Sequence, residues 1–582
     1  MSYVYRINQI TFSDKTALNL PNLTVLLGPN NCGKSRALKD IVKLTCSRNK
    51  DIVVVNQALP SIPPNAKALM DDYGVTLIPS GDYKGNTRYL RPDLQHEQLS
   101  GFPPHLNWPN DFDNIVRDIN QFGPNFAGQL TALLSTENRL TIVSQSRSAG
   151  EISEAKNLLQ VLYSSGSARE KEIRSLVKKA FPGVDIALDF SSPQQLEFRV
   201  GKDFDSLPPD PRDARAILEK CDRLDEQGDG LRSYVGIVVA LSTLKRSVFL
   251  IDEPEAFLHP PQAVRLGQFI ASQASPNRQI VVATHSADVL RGIIFQSSDA
   301  QIVRIDRIGD SNAIKLLDPA ELKTLTLDPL LSAAGVLDGL FYSGVVVTEA
   351  DADSRFFQSV STKINSGLDL HYVNADNKQT VPKVLAPYKK LGVRCAGIVD
   401  IDVLNDSGEF KKQLIAAGVT GADYDSALVA RQKIEDEIKS TPPEDRLKVI
   451  LEQISKAKIM IDEVMSKSPA EQEKSLGELK RILKRLEADT SAWQNLKKYG
   501  MRVLPDSHEE FFKLYRICST AGLFIIPTGE LETMLSEHGI DWQSDKRVWI
   551  NRALQLVPSM QVEMQKQPWK FTLDIINHLQ KR

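Results

Sequence analysis

A glycine-rich loop between a strand-like run and a helical run constrains this chain most. The apolar run LTVLLG leads directly into GPNNCGKS, residues 28–35, and RALKDIVKL follows with the spacing of a helix. The pattern G-x-x-x-x-G-K-S in the order strand, loop, helix is typical of a P-loop, whose backbone N–H groups surround phosphates at a helix N-terminus. The chain is therefore predicted to begin with an α/β nucleotide-binding domain.

Residues of this loop have different predicted roles in binding ATP. Lys34 is expected to reach the β- and γ-phosphates, and Ser35 to hold Mg²⁺. The predicted nucleotide-binding residues here are Gly28, Asn30, Asn31, Gly33, Lys34, Ser35 and Arg36. Gln57 and Gln145, each placed after a predicted strand (the second after RLTIVSQ), are candidate γ-phosphate sensors, but a solvated loop position explains each of them better.

Three later segments carry residue types suited to ATP hydrolysis. QGDGLRS, residues 227–233, opens the apolar helix VGIVVALSTL, and its glycine turn with a free serine is a candidate anion cradle that includes Gly230 and Ser233. VFLIDEP ends in Asp252, suited to Mg²⁺, and Glu253, suited to polarising water. QIVVATHS places His285 after a third strand.

In this order, after a P-loop, the segments resemble the ABC-type ATPases of the SMC and Rad50 kind. The resemblance implies that QGDGLRS is the signature, IDEP the Walker B strand and His285 the switch histidine. In that family the P-loop of one copy faces the signature of a second copy. The resemblance therefore implies a homodimer or a higher homo-oligomer, although QGDGLRS departs from the usual LSGGQ form.

Acidic residues follow several β-branched runs in the C-terminal part of the chain. VVVTEADAD carries Glu349 and Asp353, GIVDIDV carries Asp400 and Asp402, and LFIIPTGELETML carries Glu530 and Glu532. Alternation along a strand is expected to turn Asp400 and Asp402 to one face. Clustered carboxylates suit Mg²⁺ or Mn²⁺, so a metal-dependent phosphoryl-transfer site is predicted.

Together these acids resemble a Toprim domain, through Glu349 with Asp353, Asp400-x-Asp402 and the late Gly-x-Leu-Glu. An ABC-type ATPase followed by a Toprim domain resembles the OLD (overcoming lysogenization defect) family, which includes Gabija- and retron-associated anti-phage effectors. The resemblance implies a DNA endonuclease under the control of ATP. It also implies metal-binding or acid–base roles for Glu349, Asp353, Asp400, Asp402 and Glu532, with Glu530 as the alternative to Glu532.

Lysines in the same part of the sequence are candidate phosphate ligands. Lys378 lies in a polar turn where the family often shows Gly-Lys, although Asn377 stands in place of the glycine. Lys546 follows the last acidic motif, where a phosphate-stabilising lysine would be useful.

The length of 582 residues requires more than one domain. The predicted fold class is α/β, with an ABC-type P-loop ATPase domain at 1–338 and a Toprim domain at 339–582. IVRIDRIGDSNAIKLL has the alternation of a hairpin that closes the ATPase sheet. A segment rich in Lys and Glu at about 406–499 is predicted to be a helical insertion in the second domain, interrupted by Pro442, Pro443 and Pro469.

The composition excludes several classes of protein. A net charge of −2 gives no global signal for nucleic-acid binding, so DNA contact must come from local basic surface or bound metal. The five cysteines are scattered without a C-x-x-C spacing, which argues against a zinc site and fits a reducing compartment. No signal-peptide or membrane-spanning pattern is found, so a cytoplasmic protein without membrane contact is expected.

Two other functions remain open on the sequence alone. One is an ATP-driven DNA-binding clamp of the SMC kind with a catalytically silent Toprim domain. The other is a sensor whose ATPase is the output and whose helical insertion docks a partner. The defence-system partner is also left open between a retron reverse transcriptase with its msDNA and a helicase.

Overall fold

A computed structural model describes most of the chain. The described residues are 3–47, 51–73, 76–79, 87–90, 105–108, 116–147, 157–192, 194–309, 311–328, 331, 335–440, scattered positions from 451 to 465, 492–540 and 546–580. They form two compact units, Met1–Pro329 and Leu330–Arg582. The functional boundary after residue 338 stays a prediction. The prolines expected to break the insertion, at 442, 443 and 469, lie outside the described residues.

The first unit contains sixteen described strands. They are β1 Ile7–Phe12, β2 Ala17–Asn19, β3 Leu23–Leu27, β4 Val55–Pro60, β5 Thr76–Pro79, β6 Thr87–Leu90, β7 His105–Trp108, β8 Thr131–Leu134, β9 Ser146–Arg147, β10 Asp185–Asp189, β11 Gln195–Gly201, β12 Asp222–Arg223, β13 Val248–Asp252, β14 Gln279–Ala283, β15 Gln301–Ile308 and β16 Ser311–Leu317. The central sheet has the order β16-β15-β3-β14-β13-β8 and is parallel except for the β15–β16 hairpin. The predicted edge hairpin is therefore confirmed.

Three smaller antiparallel sheets accompany the central one. Their strand orders are β2-β1-β4, β5-β6-β7 and β10-β11-β12, with β9 paired to β11. The described α-helices of the unit are α1 Lys34–Cys46, α2 Ala66–Tyr73, α3 Ile119–Phe122, α4 Gly128–Leu130, α5 Thr136–Thr141, α6 Leu158–Ser165, α7 Ser167–Ala180, α8 Pro211–Leu218, α9 Asp229–Thr243, α10 Pro260–Gln273, α11 Ala287–Gln296 and α12 Pro319–Leu327.

The central strands form because their sequences bury both faces. Every residue of β3, β13 and β14 is buried, as the continuous apolar runs of parallel strands require. Parallel strands bring their carboxyl ends to one edge, so the segments after these three strands lie together there. This edge carries the loop that begins at Gly28, the turn at Glu253 and the segment at His285.

The run RLTIVSQ is not a strand, and that prediction was wrong. Its first residues belong to α5, which begins after a capping box in which Ser135 and Asn138 satisfy each other's backbone N–H groups. Gln57 lies within β4 rather than after it. Gln145 donates a hydrogen bond from Nε2 to Oε1 of Gln195, so neither glutamine gains support as a phosphate sensor.

The second unit is built on a parallel sheet of four described strands. They are β17 Gly344–Thr348, β18 Leu370–Asn374, β19 Cys395–Val399 and β20 Leu523–Ile525, in the order β18-β17-β19-β20. The described α-helices are α13 Asp351–Ile364, α14 Val381–Lys390, α15 Ser407–Ala417, α16 Gly421–Lys439, α17 Ala492–Tyr499, α18 His508–Thr520, α19 Lys546–Leu556 and α20 Trp569–Gln580. The predicted small parallel sheet is confirmed.

A core of large apolar side chains supports this sheet. Phe356 and Phe357 of α13 are fully buried and pack with Trp549 of α19 and Phe571 of α20. The core therefore ties α13, which begins directly after the Glu349 strand, to the two C-terminal helices. In the part of the chain that the structure describes, no helix is long and apolar enough to cross a membrane.

Candidate functional site

The phosphate-binding loop has the predicted strand–loop–helix geometry. Gly28 has a φ of 144°, and a side chain at this position would overlap the carbonyl oxygen of Ile305. Lys34 is buried at the start of α1 and donates from Nζ to the carbonyl oxygens of Gly28 and Pro29, at 2.8 and 2.9 Å. The lysine is thus held across its own loop, among the backbone groups that the sequence assigns to phosphate binding.

Other residues predicted in this loop are placed as follows. Asn30 and Asn31 are exposed, and Asn31 has a positive φ of 60°. Arg36 points its guanidinium at Asp40, with Nε 2.9 Å from Oδ1, and donates to the carbonyl oxygen of Asp51. A nucleotide-binding role for Arg36 requires that it leave these partners.

The predicted Mg²⁺ ligands of the ATPase site lie side by side. The Ser35 side chain lies close enough to the carboxylate of Asp252, at the end of β13, to influence its pKa. Burial raises the pKa of Asp252, and the hydroxyl of Ser35 works against that rise. A buried carboxylate beside a hydroxyl is a donor set that suits Mg²⁺.

Glu253 and His285 meet at the same sheet edge. The Nδ1 atom of His285 lies 3.5 Å from Oε1 of Glu253 and 3.2 Å from Oε1 of Glu255. The backbone N–H of His285 donates to the same Glu255 oxygen at 2.7 Å. Glu255, which the sequence analysis did not select, therefore holds the histidine segment beside the predicted catalytic acid.

Ser233 is not a free serine, so that part of the prediction was wrong. The helix α9 does begin at the glycine turn with Asp229, as expected. Ser233 is fully buried, however, and its hydroxyl accepts a hydrogen bond of 2.7 Å from Nε of Arg139. Its anion-binding role would require release from Arg139, whereas Gly230 stays in the first turn of the helix.

Arg139 is the main ATPase-site residue that sequence reasoning missed. It is fully buried, and its two terminal nitrogens donate to the carbonyl oxygens of Asp252 and Glu253, at 2.6 and 2.7 Å. Burial lowers its pKa to about 10, and the nearby carboxylates of Glu255, Asp252 and Glu253 oppose that change. Glu253 has a strained positive φ of 46°, which Arg139 stabilises through the carbonyl group.

In the second unit, the acids predicted on separate motifs are brought together. The backbone N–H of Asp400 donates to Oε1 of Glu349 at 2.8 Å, which joins the ends of β19 and β17. Asp353 is buried in the first turn of α13, and its Oδ2 accepts from the N–H of Ala350. Glu532 is buried in a short 3₁₀ helix after β20.

Asp402 is not on a strand, so the argument from strand alternation was wrong. Strand β19 ends at Val399, and Asp402 lies in the 3₁₀ helix Ile401–Leu404. It nevertheless remains near the other acids, because its charge raises the pKa of both Glu349 and Asp400. The tight turn rather than the pleat of a strand keeps the Asp-x-Asp pair close.

Burial and mutual repulsion dominate the electrostatics of this acid cluster, which comprises Glu349, Asp353, Asp400, Asp402 and Glu532. Burial, together with the charges of Asp402 and Asp353, raises the pKa of Glu349 to about 7 against the hydrogen bond from Asp400. The pKa of Asp400 is raised well above its usual value by burial and then by Glu349 and Asp353. Burial also raises the pKa values of Asp353 and Glu532.

Three lysines border the acid cluster. Lys378 Nζ lies 3.2 Å from Oδ1 of Asp402, Lys546 Nζ lies 2.9 Å from Oδ1 of Asp353, and Lys497 Nζ lies 3.4 Å from Oδ2 of Asp402. Lys497 and the contact of Lys546 with Asp353 were not anticipated. Lys497 comes from the helical insertion, 95 residues after Asp402, so no local pattern could reveal the contact.

The acid cluster fits a divalent cation by its chemistry. Glu532 is buried, and its Oε2 atom has no hydrogen-bond partner among the described residues. Repelling carboxylates and an unsatisfied carboxylate oxygen are the features that bound Mg²⁺ or Mn²⁺ would compensate. In the described part of the chain the five acids do not bring three oxygens within 4.8 Å of one another; lysine ammonium groups lie beside them instead.

A tighter acidic group occurs in the first unit. Carboxylate oxygens of Asp185, Asp203 and Asp205 all lie within 4.8 Å of one another. Arg174 and Lys178 form salt bridges within this group, at 2.6 to 3.2 Å. These two side chains already supply the positive charge that a bound metal ion would bring, so the group is an ion-pair network.

Comparison with known proteins gives two sequence matches. Residues 152–291 match the family model described as "AAA domain, putative AbiEii toxin, Type IV TA system". The Old nuclease of Escherichia phage P2 is 23% identical over 296 residues, which cover 46% of this chain and 49% of the phage protein. The chain thus spans about half the length of that relative. Both matches fit an ATPase and nuclease of the OLD family, which confirms the predicted resemblance.

Comparison with solved structures gives weaker likeness. An SMC head bound to the C-terminal winged-helix domain of ScpA is 13% identical, with a TM-score of 0.34, and covers 54% of this chain and 97% of that one. The SMC head domain from Thermotoga maritima is 12% identical, with a TM-score of 0.28, over 54% and 98% of the two chains. The P-loop ATPase fold of the first unit rests on its own sheet and on the AAA domain match.

Proposed function

We propose that this relative of the OLD nucleases is an ATP-binding, divalent-metal-dependent DNA endonuclease that acts in anti-phage defence as a homodimer or larger homo-oligomer. The observation that carries the proposal is the acid cluster at the carboxyl ends of β17 and β19, bordered by three lysines. We assign it to a Toprim domain on the motif order. The defence role rests on the resemblance to the OLD family alone.

In this proposal the acid cluster holds Mg²⁺ or Mn²⁺. Glu349, Asp353, Asp400, Asp402 and Glu532 are the ligands or acid–base groups. Bound there, the metal supplies polarisation of a phosphoryl oxygen, activation of water and stabilisation of the leaving oxygen. A carboxyl group with a pKa near 7, as at Glu349, is suited to accept a proton from water at neutral pH. Lys378 and Lys546 neutralise the charge of an approaching phosphodiester.

The ATPase site has its own division of roles. Lys34 leaves the carbonyl groups of its loop to bind the β- and γ-phosphates, and Ser35 with Asp252 holds the Mg²⁺ of ATP. Glu253 polarises the attacking water, and His285, whose Nδ1 lies 3.5 Å from Oε1 of Glu253, is assigned to contact the γ-phosphate. The signature turn with Gly230 and Ser233 is assigned to the nucleotide of a second protomer.

The proposal is tested by incubating supercoiled plasmid with Mg²⁺ or Mn²⁺, with and without ATP. Asp353→Asn is expected to abolish nicking or linearisation. Asp351→Asn is the matched control, because Asp351 lies in the same helical turn but is exposed and pairs with Arg355 on the surface. Lys34→Ala reports whether ATP activates or restrains cleavage.

The outcome also distinguishes the alternative function. An ATP-driven DNA-binding clamp or sensor with a silent Toprim domain would hydrolyse ATP and bind DNA without cutting it in either metal. Cleavage by wild type and by Asp351→Asn, but not by Asp353→Asn, would exclude that alternative. Equal cleavage by all three proteins would remove the acid cluster from the reaction.

A further inference from the structure

The last described helix of the insertion, α17, reaches the acid cluster. Lys497 on this helix places Nζ 3.4 Å from Oδ2 of Asp402 and 3.4 Å from Oε2 of Glu530. Its side chain is 42% exposed, so it is only partly shielded from solvent. Lys497 therefore neutralises Asp402 of the acid cluster and the neighbouring Glu530 while remaining partly exposed.

The backbone after Lys497 packs closely against the acidic turn that carries Glu530. The N–H of Met501 donates to the carbonyl oxygen of Pro527 at 3.0 Å. Gly500 has a φ of 63°, and a side chain there would overlap the same carbonyl oxygen. The position of Lys497 is thus fixed by main-chain contacts that a flexible surface lysine would lack.

The turn that carries Glu530 also contacts the Asp-x-Asp segment. The carbonyl oxygen of Gly529 accepts a hydrogen bond of 3.1 Å from the N–H of Ile401, which stands between Asp400 and Asp402. A chain of backbone contacts therefore runs from α17 through the turn to the two aspartates. Movement of α17 would be transmitted to both.

We propose that the helical insertion completes the nuclease site by supplying Lys497 as a positioning residue for Asp402 and Glu530. The inference rests on the proposed function. Lys497 holds the two carboxylates in place and competes with a divalent cation for the carboxylate of Asp402. The insertion is then an integral part of the site rather than an arm used only for docking.

This arrangement gives Lys497 two opposite effects. Removal of its charge makes the acid cluster more negative, so a divalent cation binds more tightly. Removal also releases Asp402 and Glu530 from their fixed positions, so cleavage slows. A merely structural residue would weaken cation binding and cleavage together, and the opposite signs separate the two roles.

The test compares full-length Lys497→Met with Lys498→Met, a change of the exposed neighbouring lysine whose ammonium lies over the Tyr499 ring. Binding of Mn²⁺ without DNA is measured by electron paramagnetic resonance, and plasmid nicking is measured at saturating Mn²⁺. We expect Lys497→Met to bind Mn²⁺ about three- to tenfold more tightly, because solvent screens a partly exposed charge. Its nicking rate should fall about tenfold or more.

Lys497→Arg should restore much of the rate, and Lys498→Met should match wild type in both measurements. Unchanged or weaker Mn²⁺ binding by Lys497→Met would overturn the inference, as would an unchanged nicking rate. A wild-type protein that neither binds Mn²⁺ nor cuts DNA would overturn the proposed function, and this inference with it. A wild type that does both, with Lys497→Met identical to it, would overturn the inference alone.

Discussion

Arg139 donates a hydrogen bond of 2.7 Å from Nη2 to the main-chain carbonyl oxygen of Glu253, the residue assigned to polarise the attacking water. The same guanidinium binds the hydroxyl of Ser233 in the signature helix. One buried side chain therefore joins the predicted signature to the backbone of the predicted catalytic acid. Because Glu253 has a positive φ, its conformation depends on such support.

Arg139→Lys should lower ATP turnover about a hundredfold while nucleotide binding is retained, because the Glu253 turn loses its fixed position. Arg246→Lys is the matched control. Arg246 is equally buried and binds the carbonyl oxygens of Gly128 and Thr131, away from the predicted catalytic residues. Each change should cost about 1–3 kcal/mol of unfolding free energy through unsatisfied carbonyl groups. Equal loss of turnover in both variants would contradict the positioning role.

Glu255→Gln should retain most of the ATPase turnover, whereas Glu255→Ala should lose about tenfold or more. The amide of glutamine keeps an oxygen that accepts the N–H of His285, and alanine leaves that partly buried N–H without its partner. Steady-state ATPase assays that separate kcat from KM measure this. Equal loss in both variants would show that the charge of Glu255, rather than its hydrogen bond, is what His285 requires.

Glu349→Gln should stabilise the metal-free protein at pH 8. The pKa of Glu349 is raised to about 7, so the folded state binds a proton that the unfolded state releases near pH 4.5, and stability falls as the pH rises through 7. Glutamine removes that charge and keeps the acceptor for the N–H of Asp400. Thermal unfolding in EDTA should show a higher Tm than wild type at pH 8, by about 2–6 °C, and little difference at pH 5.5.

The same thermal unfolding measurement is repeated with added Mn²⁺. It should raise the Tm of wild type at pH 8 more than that of Glu349→Gln, because the variant has lost a carboxylate ligand. Asp351→Asn, a change of an exposed carboxylate, should follow wild type at both pH values. A variant less stable than wild type at pH 8 in EDTA would contradict the electrostatic origin of the effect.

Gly500→Ala should destabilise the protein and slow DNA cleavage, because its side chain would overlap the carbonyl oxygen of Pro527. Gly421→Ala is the matched control, since Gly421 has a φ of 61° with open space around it. The control should cost about 1–2 kcal/mol of unfolding free energy for the left-handed backbone alone. Overpacking should add about 1–3 kcal/mol at Gly500. Urea unfolding monitored by circular dichroism measures the unfolding free energy of both variants. Equal losses would exclude steric overlap at Gly500.

Much of the fold followed from local sequence pattern. The P-loop, the acid-ended strand β13, the edge hairpin and the small parallel sheet were all predicted, because β-branched runs and glycine turns act over a few neighbouring residues. Two predictions of strands failed because another local structure formed in place of the strand. Ser135 and Asn138 cap a helix where RLTIVSQ had indicated a strand, and a 3₁₀ turn replaces the end of the strand that was to carry Asp402.

The sequence by itself determined which residues are candidates for the chemistry: Lys34, Asp252 and Glu253 in one motif set, and Glu349 and Asp400 in the other. Only the tertiary structure decided what surrounds them. Arg139 meets Ser233 across 94 residues and Glu253 across 114, and Lys497 reaches Asp402 from the far end of an insertion. Such contacts depend on how helices pack on a sheet. The periodicity of the sequence does not indicate which distant residue a side chain will contact.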